Sequence, residues 1–272
     1  MDNTNKRPLI LVSNDDGYLA KGVRILIKGM RKGGDVVAVC PDGGRSGQSM
    51  AITVNDALMP VRLPDYEGAE MWKVNGTPVD CVKVAMHMIL GDRRPDLVVA
   101  GINHGSNAAV NVLYSGTMGA VLEGCGFGLP AIGFSLTDHS PEADFEGCLP
   151  FVRRITEDVL RNGLPPEICL NVNIPDSAEP PTQMRVVRAC RGRWNDEYKE
   201  YTDPHGRKFY WLSGEYINEE PDNSDTDQWC LEHGIVSVVP VLLERTARVE
   251  GSLSWLKSLE DTGNQEVLNN AK

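Results

Sequence analysis

The chain has 272 residues, 41% of them hydrophobic and 24% charged, enough for one large α/β domain with an extension. Its formal net charge of -11 argues against a sequence-independent grip on a nucleic acid duplex or an anionic membrane, and no apolar run approaches the length of a membrane span. Seven cysteines, odd in number and never in a CxxC pair, fit neither a zinc site nor a disulfide framework, and they predict a soluble protein of the reducing cytoplasm.

The first informative stretch is Pro8–Gly17, PLILVSNDDG. Leu9 to Val12 run unbroken into Ser13, Asn14, Asp15, Asp16 and Gly17, the pattern of a strand buried on both faces and closed by a turn. Val23, Leu26, Ile27 and Met30 then fall at helical spacing, so two adjacent carboxylates stand between a buried strand and a helix. In an open parallel sheet that carboxyl edge is where ligands bind. One Asp could serve as a helix cap. Its neighbour needs another explanation, because like charges side by side repel unless a cation offsets them, and a divalent metal is the expected partner.

Gly33-Gly34 stop the helix, and Asp35–Cys40 reads as a second buried strand. The glycine-rich Pro41–Ser49 leaves the same edge if the two strands are parallel, and it matches neither GxxxxGK[ST] nor GxGxxG. Residues 51–74 alternate loosely and predict strands or a hairpin in AITVN, MPVRL and MWKV. Thr77 then caps a helix, with Pro78 in its first turn, Asp80 reaching back, and Gly91 at its end. Asp96–Gly101 is the next buried strand, delivering Asn103, His104 and Asn107 in a loop. His87 and His104 read as structural or solvent-exposed histidines, since no second histidine stands at ligand spacing.

Ser115 or Thr117 caps the following helix and leaves backbone N–H groups free at its start. Ala131–Leu136 reads as a strand, and Pro141–Asn162 as mostly helical with a kink or break at Pro150. This alternation predicts an α/β fold over residues 1–164, a Rossmann-like, mostly parallel sheet flanked by helices. From residue 165 to 260, ICLNVNIP, MRVVRAC, FYWLSGEY and GIVSVVPVLL predict a β-rich C-terminal extension that completes the same domain, with one short helix near Thr226–Glu232. Residues 261–272 form a polar tail.

Asp15, Asp16, Ser46 and Asn103 all offer oxygen at one sheet edge, a set suited to magnesium or manganese and not to zinc. Beside them, Ser115, Gly116 and Thr117 at a helix N-terminus can receive phosphate oxygens. A phosphorylated substrate would need such a local positive source on so acidic a protein. The residues point to hydrolysis of a phosphate monoester by metal-activated water, with Asp15, Asp16 and Asn103 at the catalytic centre. A phospho-acceptor signalling domain is disfavoured, because its acceptor Asp belongs at the carboxyl end of a later strand, whereas here Asp96 begins that strand and Asn103 ends it. A dinucleotide-dependent oxidoreductase lacks its glycine fingerprint.

Taken in order, LVSNDDG, PDGGRSGQS, NGTPVDCV, PDLVVAGINHGSN, YSGT and VSVVP resemble the SurE (stationary-phase survival protein) family of nucleotidases over most of the chain. The resemblance implies a metal-dependent phosphatase acting on nucleoside 5′- and often 3′-monophosphates. It implies one divalent ion per subunit (Mg2+ or Mn2+) on Asp15, Asp16, Ser46 and Asn103, with Asn107, Ser115, Gly116 and Thr117 on the phosphate side. It further implies a homodimer or homotetramer whose C-terminal elements exchange between subunits. Phe209, Tyr210, Trp211, Tyr216 and Trp229 fit such an arm, since isolated hairpins are marginal in water and aromatic groups are favoured at subunit contacts.

Overall fold

The computed structural model describes residues 7–177, 179–247 and 255, so the expected polar tail and the far end of the expected β-rich region lie outside the described residues. Strand β1 (Leu9–Ser13), helix α1 (Lys21–Met30) and strand β2 (Asp35–Pro41) come first. The pair β3 (Val61–Tyr66) and β4 (Ala69–Val74) precedes α2 (Pro78–Val84), which continues as a π-helical turn over Ala85–Ile89. Then follow β5 (Leu97–His104), a 3-10 turn at Ala109–Leu113, α3 (Gly116–Gly126), β6 (Ala131–Leu136), α4 (Leu149–Asn162) and β7 (Ile168–Ile174). The C-terminal part supplies β8 (Met184–Val186), β9 (Gly192–Asn195), β10 (Tyr198–Thr202), β11 (Lys208–Leu212), β12 (Glu215–Asn218), α5 (Asp227–Glu232) and β13 (Val236–Leu242).

Nine of these strands form one sheet in the order β3-β4-β2-β1-β5-β6-β7-β13-β8. Neighbours are parallel except at β3–β4 and β7–β13. Strand β1 explains why its sequence is an unbroken apolar run. Ile10 and Val12 pack with Val23, Leu26 and Ile27 of α1 and Val152 of α4, while Leu11 packs with Val82 of α2 and Met118 and Val121 of α3. Both faces are covered, so the positions from Leu9 to Val12 are all apolar. The chain passes from β1 to β2 on one side and reaches β5 on the other. The β1–β5 seam is therefore a topological switch point, whose carboxyl end forms a crevice.

Two local expectations are corrected. AITVN is not a strand, because the Thr53 N–H donates to the Asp80 carboxylate (3.1 and 3.2 Å) and its hydroxyl joins it at 2.6 Å. That backbone donor goes to the cap of α2 and not to a neighbouring strand, which leaves Ile52 and Val54 exposed. Pro150 does not kink a long helix. It sits in the first turn of α4, where a missing N–H costs nothing, and a separate 3-10 turn at Glu146–Cys148 precedes it. The Thr77–Asp80 capping box with Pro78 is present.

The C-terminal residues divide their work. Strands β7, β13 and β8 extend the main sheet, while β10–β11 and β9–β12 form separate antiparallel pairs. FYWLSGEY splits at Ser213-Gly214 between β11 and β12. The β10–β11 ribbon is exposed along its whole length, with Tyr201, Phe209, Tyr210 and Trp211 uncovered and the Tyr201 and Phe209 rings stacked at 5.6 Å. All seven cysteines are buried free thiols. Among the described residues, no helix is long and apolar enough to cross a membrane.

Candidate active site

Beyond β1, the Asn14 side-chain amide donates to the Gly17 carbonyl (2.9 Å) and closes the turn that carries both carboxylates. Gly17 has a φ of +95°, and a Cβ there would stand 3.0 Å from Gly43, so the turn lies directly against the glycine-rich loop. The Arg45 N–H fastens that loop to the Asp15 carbonyl (2.6 Å). Neither carboxylate is occupied as a helix cap, for α1 has Ala20 at its N-cap and no side-chain capping bond.

Asp15 is 3% exposed. Burial pushes its carboxyl from an ordinary 3.8 up to about 6, against the opposing effect of the Thr117 hydroxyl, which donates to Oδ1 at 2.5 Å; the neighbouring charge of Asp16 adds to the rise. Burial also raises Asp16, although the His104 N–H donates to its Oδ2 at 3.3 Å. Asn103 donates through Nδ2 to the Gly105 carbonyl (2.8 Å), which turns its Oδ1 toward the Thr117 hydroxyl (3.4 Å). The start of α3 abuts this group so closely that a Cβ on Gly116 would lie 2.8 Å from Asp15 Cβ. Only glycine fits there. Ser115 is the cap, accepting the Met118 N–H at 3.0 Å, which leaves the first N–H groups of the helix at the crevice.

Asp15, Asp16, Asn103, Gly116 and Thr117 thus gather at the switch point, with Ser115 behind them. Ser46 is exposed on the rim, one residue beyond the Arg45 anchor. Asn107 belongs to an adjoining buried network. Its N–H donates to Asn173 Oδ1 and its Nδ2 to Ser135 Oγ, each at 2.8 Å, and its carbonyl accepts from Asn171 Nδ2 at 2.8 Å.

Sequence reasoning missed these supports. Asn171 and Asn173 were detectable as polar residues two apart in an otherwise apolar strand, hence on one buried face. Asp227 gave only the signal of a residue in the first turn of a short helix. It is fully buried and holds three backbone donors at 2.8 Å, namely the Ala109, Cys190 and Gln228 N–H groups. It joins the loop before α3 to the root of the arm.

The residues present fit a hard divalent cation. Two adjacent carboxylates, both raised by burial, have no Lys or Arg ion pair among the described residues, and the remaining donors near them are neutral oxygens. Among the described residues there is no group of three or more His, Cys, Asp and Glu that could hold a metal ion, so the fit rests on this pair of carboxylates with neutral oxygens beside them. Keeping both carboxylates ionised here is costly, and a cation beside them would offset that cost.

A family model described as Survival protein SurE matches residues 10–196. A protein of Phocaeicola vulgatus named 5′-nucleotidase SurE is 49% identical over 256 residues, 93% of this chain and 97% of that protein. One of Bacteroides fragilis with the same name is 50% identical over 246 residues, 89% of this chain and 94% of its own length. The crystal structure of the SurE protein from Aquifex aeolicus superposes with a TM-score of 0.80 at 34% identity, covering 93% of this chain and 100% of that one.

Proposed function

This chain belongs to the survival protein SurE family and is by that membership a 5′-nucleotidase; from there we propose that it cleaves nucleoside 5′-monophosphates, and 3′-monophosphates at the same centre, to nucleoside and phosphate. One Mg2+ or Mn2+ per subunit would be held by Asp15, Asp16, Ser46 and Asn103. The observation that carries this reading is the acidic pair set against the start of α3, Asp15 buried and Asp16 half-buried, with no Lys or Arg ion pair among the described residues. Bound there, the ion supplies positive charge to the phosphoryl oxygens and acidifies the attacking water.

The chain's own residues do the positioning. The Thr117 hydroxyl fixes Asp15, the His104 N–H fixes Asp16, and the Gly105 carbonyl orients the Asn103 amide. The N–H groups of Gly116 and Thr117, with Ser115 and Asn107, take the phosphate side, where donors at a helix N-terminus favour an anion. The uncovered rings of Tyr201, Phe209 and Tyr210, beyond the paired Tyr198 and Leu212 at the root of the ribbon, support exchange of the C-terminal arm between subunits of a dimer or tetramer. Seven unpaired thiols support a cytoplasmic location.

A phosphate-release screen over nucleoside 5′- and 3′-monophosphates, run with Mg2+ or Mn2+ and with EDTA, tests the reading. Activity that survives both chelation and Asp16→Asn would refute the metal assignment. Hydrolysis of 5′- but not 3′-monophosphates would remove the second substrate class.

A further inference from the structure

A cavity of about 630 Å3 lies at the root of the arm, walled by Tyr114, Trp194, Tyr198 and Leu212 with Asn111 and Glu197 at its polar side. That volume falls in the range of roughly 300–1,000 Å3 that small organic ligands occupy. Its position is informative, because Tyr114 is the residue immediately before Ser115, the cap of α3. Tyr114 thus joins the cavity wall to the start of α3, the end proposed to hold phosphate.

Its walls are preset but uncovered. The Trp194 indole N–H donates to Asn111 Oδ1 (2.9 Å), and its ring meets the Tyr216 ring edge-on at 6.0 Å, which fixes the indole plane. Yet Tyr114 and Tyr198 are 55% and 66% exposed, so two large rings at this spot lack a covering group among the described residues. With Asn111 Oδ1 engaged by the indole, its Nδ2 remains as a donor. The Glu197 carboxylate, which has no ion pair among the described residues, remains as an acceptor. Flat apolar walls, one donor and one twin acceptor suit a planar heterocycle with polar edges.

We propose that this cavity seats the nucleobase of the substrate, stacked among Tyr114, Trp194 and Tyr198 with its donor edge on Glu197. The two carboxylate oxygens match the paired N–H donors on one edge of guanine. Adenine offers a single donor group beside an acceptor, and uracil stacks over a smaller area. The site accordingly ranks guanine above adenine and both above uracil. The identity of the ligand rests on the nucleotidase reading, but its binding can be measured without turnover.

The test compares guanosine 5′-monophosphate with ribose 5-phosphate, which carries the same sugar and phosphate and no base, and adds guanosine titrated against tryptophan fluorescence. Tyr198→Ala is expected to lower kcat/KM for guanosine 5′-monophosphate about 10-fold, the size of one lost base–aromatic stack. Turnover of ribose 5-phosphate should fall less than twofold, and guanosine affinity should drop in parallel with the nucleotide. Tyr198→Phe should restore the parent values, which separates stacking from a folding defect. Glu197→Gln should narrow the preference for guanine over uracil several-fold. Equal losses on the nucleotide and the base-free ester, or guanosine binding indifferent to Tyr198→Ala, would overturn the assignment. If the parent releases phosphate from no monoester, the nucleotidase reading fails, while guanosine binding and its response to Tyr198→Ala still decide the fate of the subsite.

Discussion

Asp15→Asn is expected to make the metal-free protein more stable while lowering turnover by about 10²-fold or more. Burial raises this carboxyl from 3.8 to about 6. A folded-state value above the unfolded one means that the neutral form is favoured in the fold. The contribution is fully present below about pH 4 and is lost as pH rises through about 6. At pH 7.5 a rise of about two units corresponds to roughly 3 kcal/mol of destabilisation, at about 1.36 kcal/mol per unit. Asparagine removes the charge and keeps an oxygen to accept the Thr117 hydroxyl, which stands at 2.5 Å from the present Oδ1. Its new NH2 needs an acceptor in the same space, so about half the gain survives, on the order of 1–2 kcal/mol. For a chain of this size that is a rise of roughly 2–8 °C in Tm. Thermal unfolding in EDTA at pH 7.5 and at pH 5 measures it. The difference between variant and parent should shrink toward pH 5, where Asp15 of the parent is largely protonated, and Mn2+ should raise the Tm of the parent alone. A variant less stable than the parent in EDTA at pH 7.5, or a gap that widens on acidification, would refute the account of a buried, uncompensated charge.

Gly116→Ala places a Cβ 2.8 Å from Asp15 Cβ and should cost about 1–3 kcal/mol as α3 backs away, with a parallel loss of Mn2+ affinity in calorimetry. Asp227→Ala strips the buried Ala109 and Cys190 N–H groups of their acceptor, at about 1–3 kcal/mol each in urea unfolding; Asp227→Asn should lose clearly less. Tyr210→Ser with Trp211→Ser removes two exposed rings from the ribbon and should shift sedimentation toward monomer, with the secondary structure unchanged. A parent already monomeric at micromolar concentration would rule out arm exchange.

The parallel half of the fold is legible because its strands are buried on both faces. DVVAVC, DLVVAG and AIGFSL can be nothing else at that length. The acidic pair is legible for a related reason, since turn residues after such a strand must lie at the ligand-binding edge. What sequence spacing does not reveal is the partner at a distance. Thr117 reaches Asp15 across 102 positions, and Thr53 gives its N–H to Asp80 and so never joins a strand. Pro150 is ambiguous in sequence because the same residue starts one helix or bends another, depending on where the preceding turn ends. The arm's composition marks it as unusual, but only the fold shows that its rings stay uncovered and that its root meets Tyr114, the residue before the cap of α3.

The late arrival of β13 has a consequence for how the chain is made. It inserts antiparallel beside β7 and carries β8 on its far side, after the chain has run out through the whole ribbon and back. A nascent chain that has just extruded Ile168–Ile174 therefore presents a mostly apolar strand with one row of peptide groups unpaired. That row stays open until Val236–Leu242 clear the ribosome. During this interval the unpaired side is a template for another copy in the same state, as any flat unguarded edge is. Polypeptides interrupted anywhere in the arm should accumulate as aggregates and not as a smaller folded nucleotidase, even though every proposed metal ligand has already been synthesised.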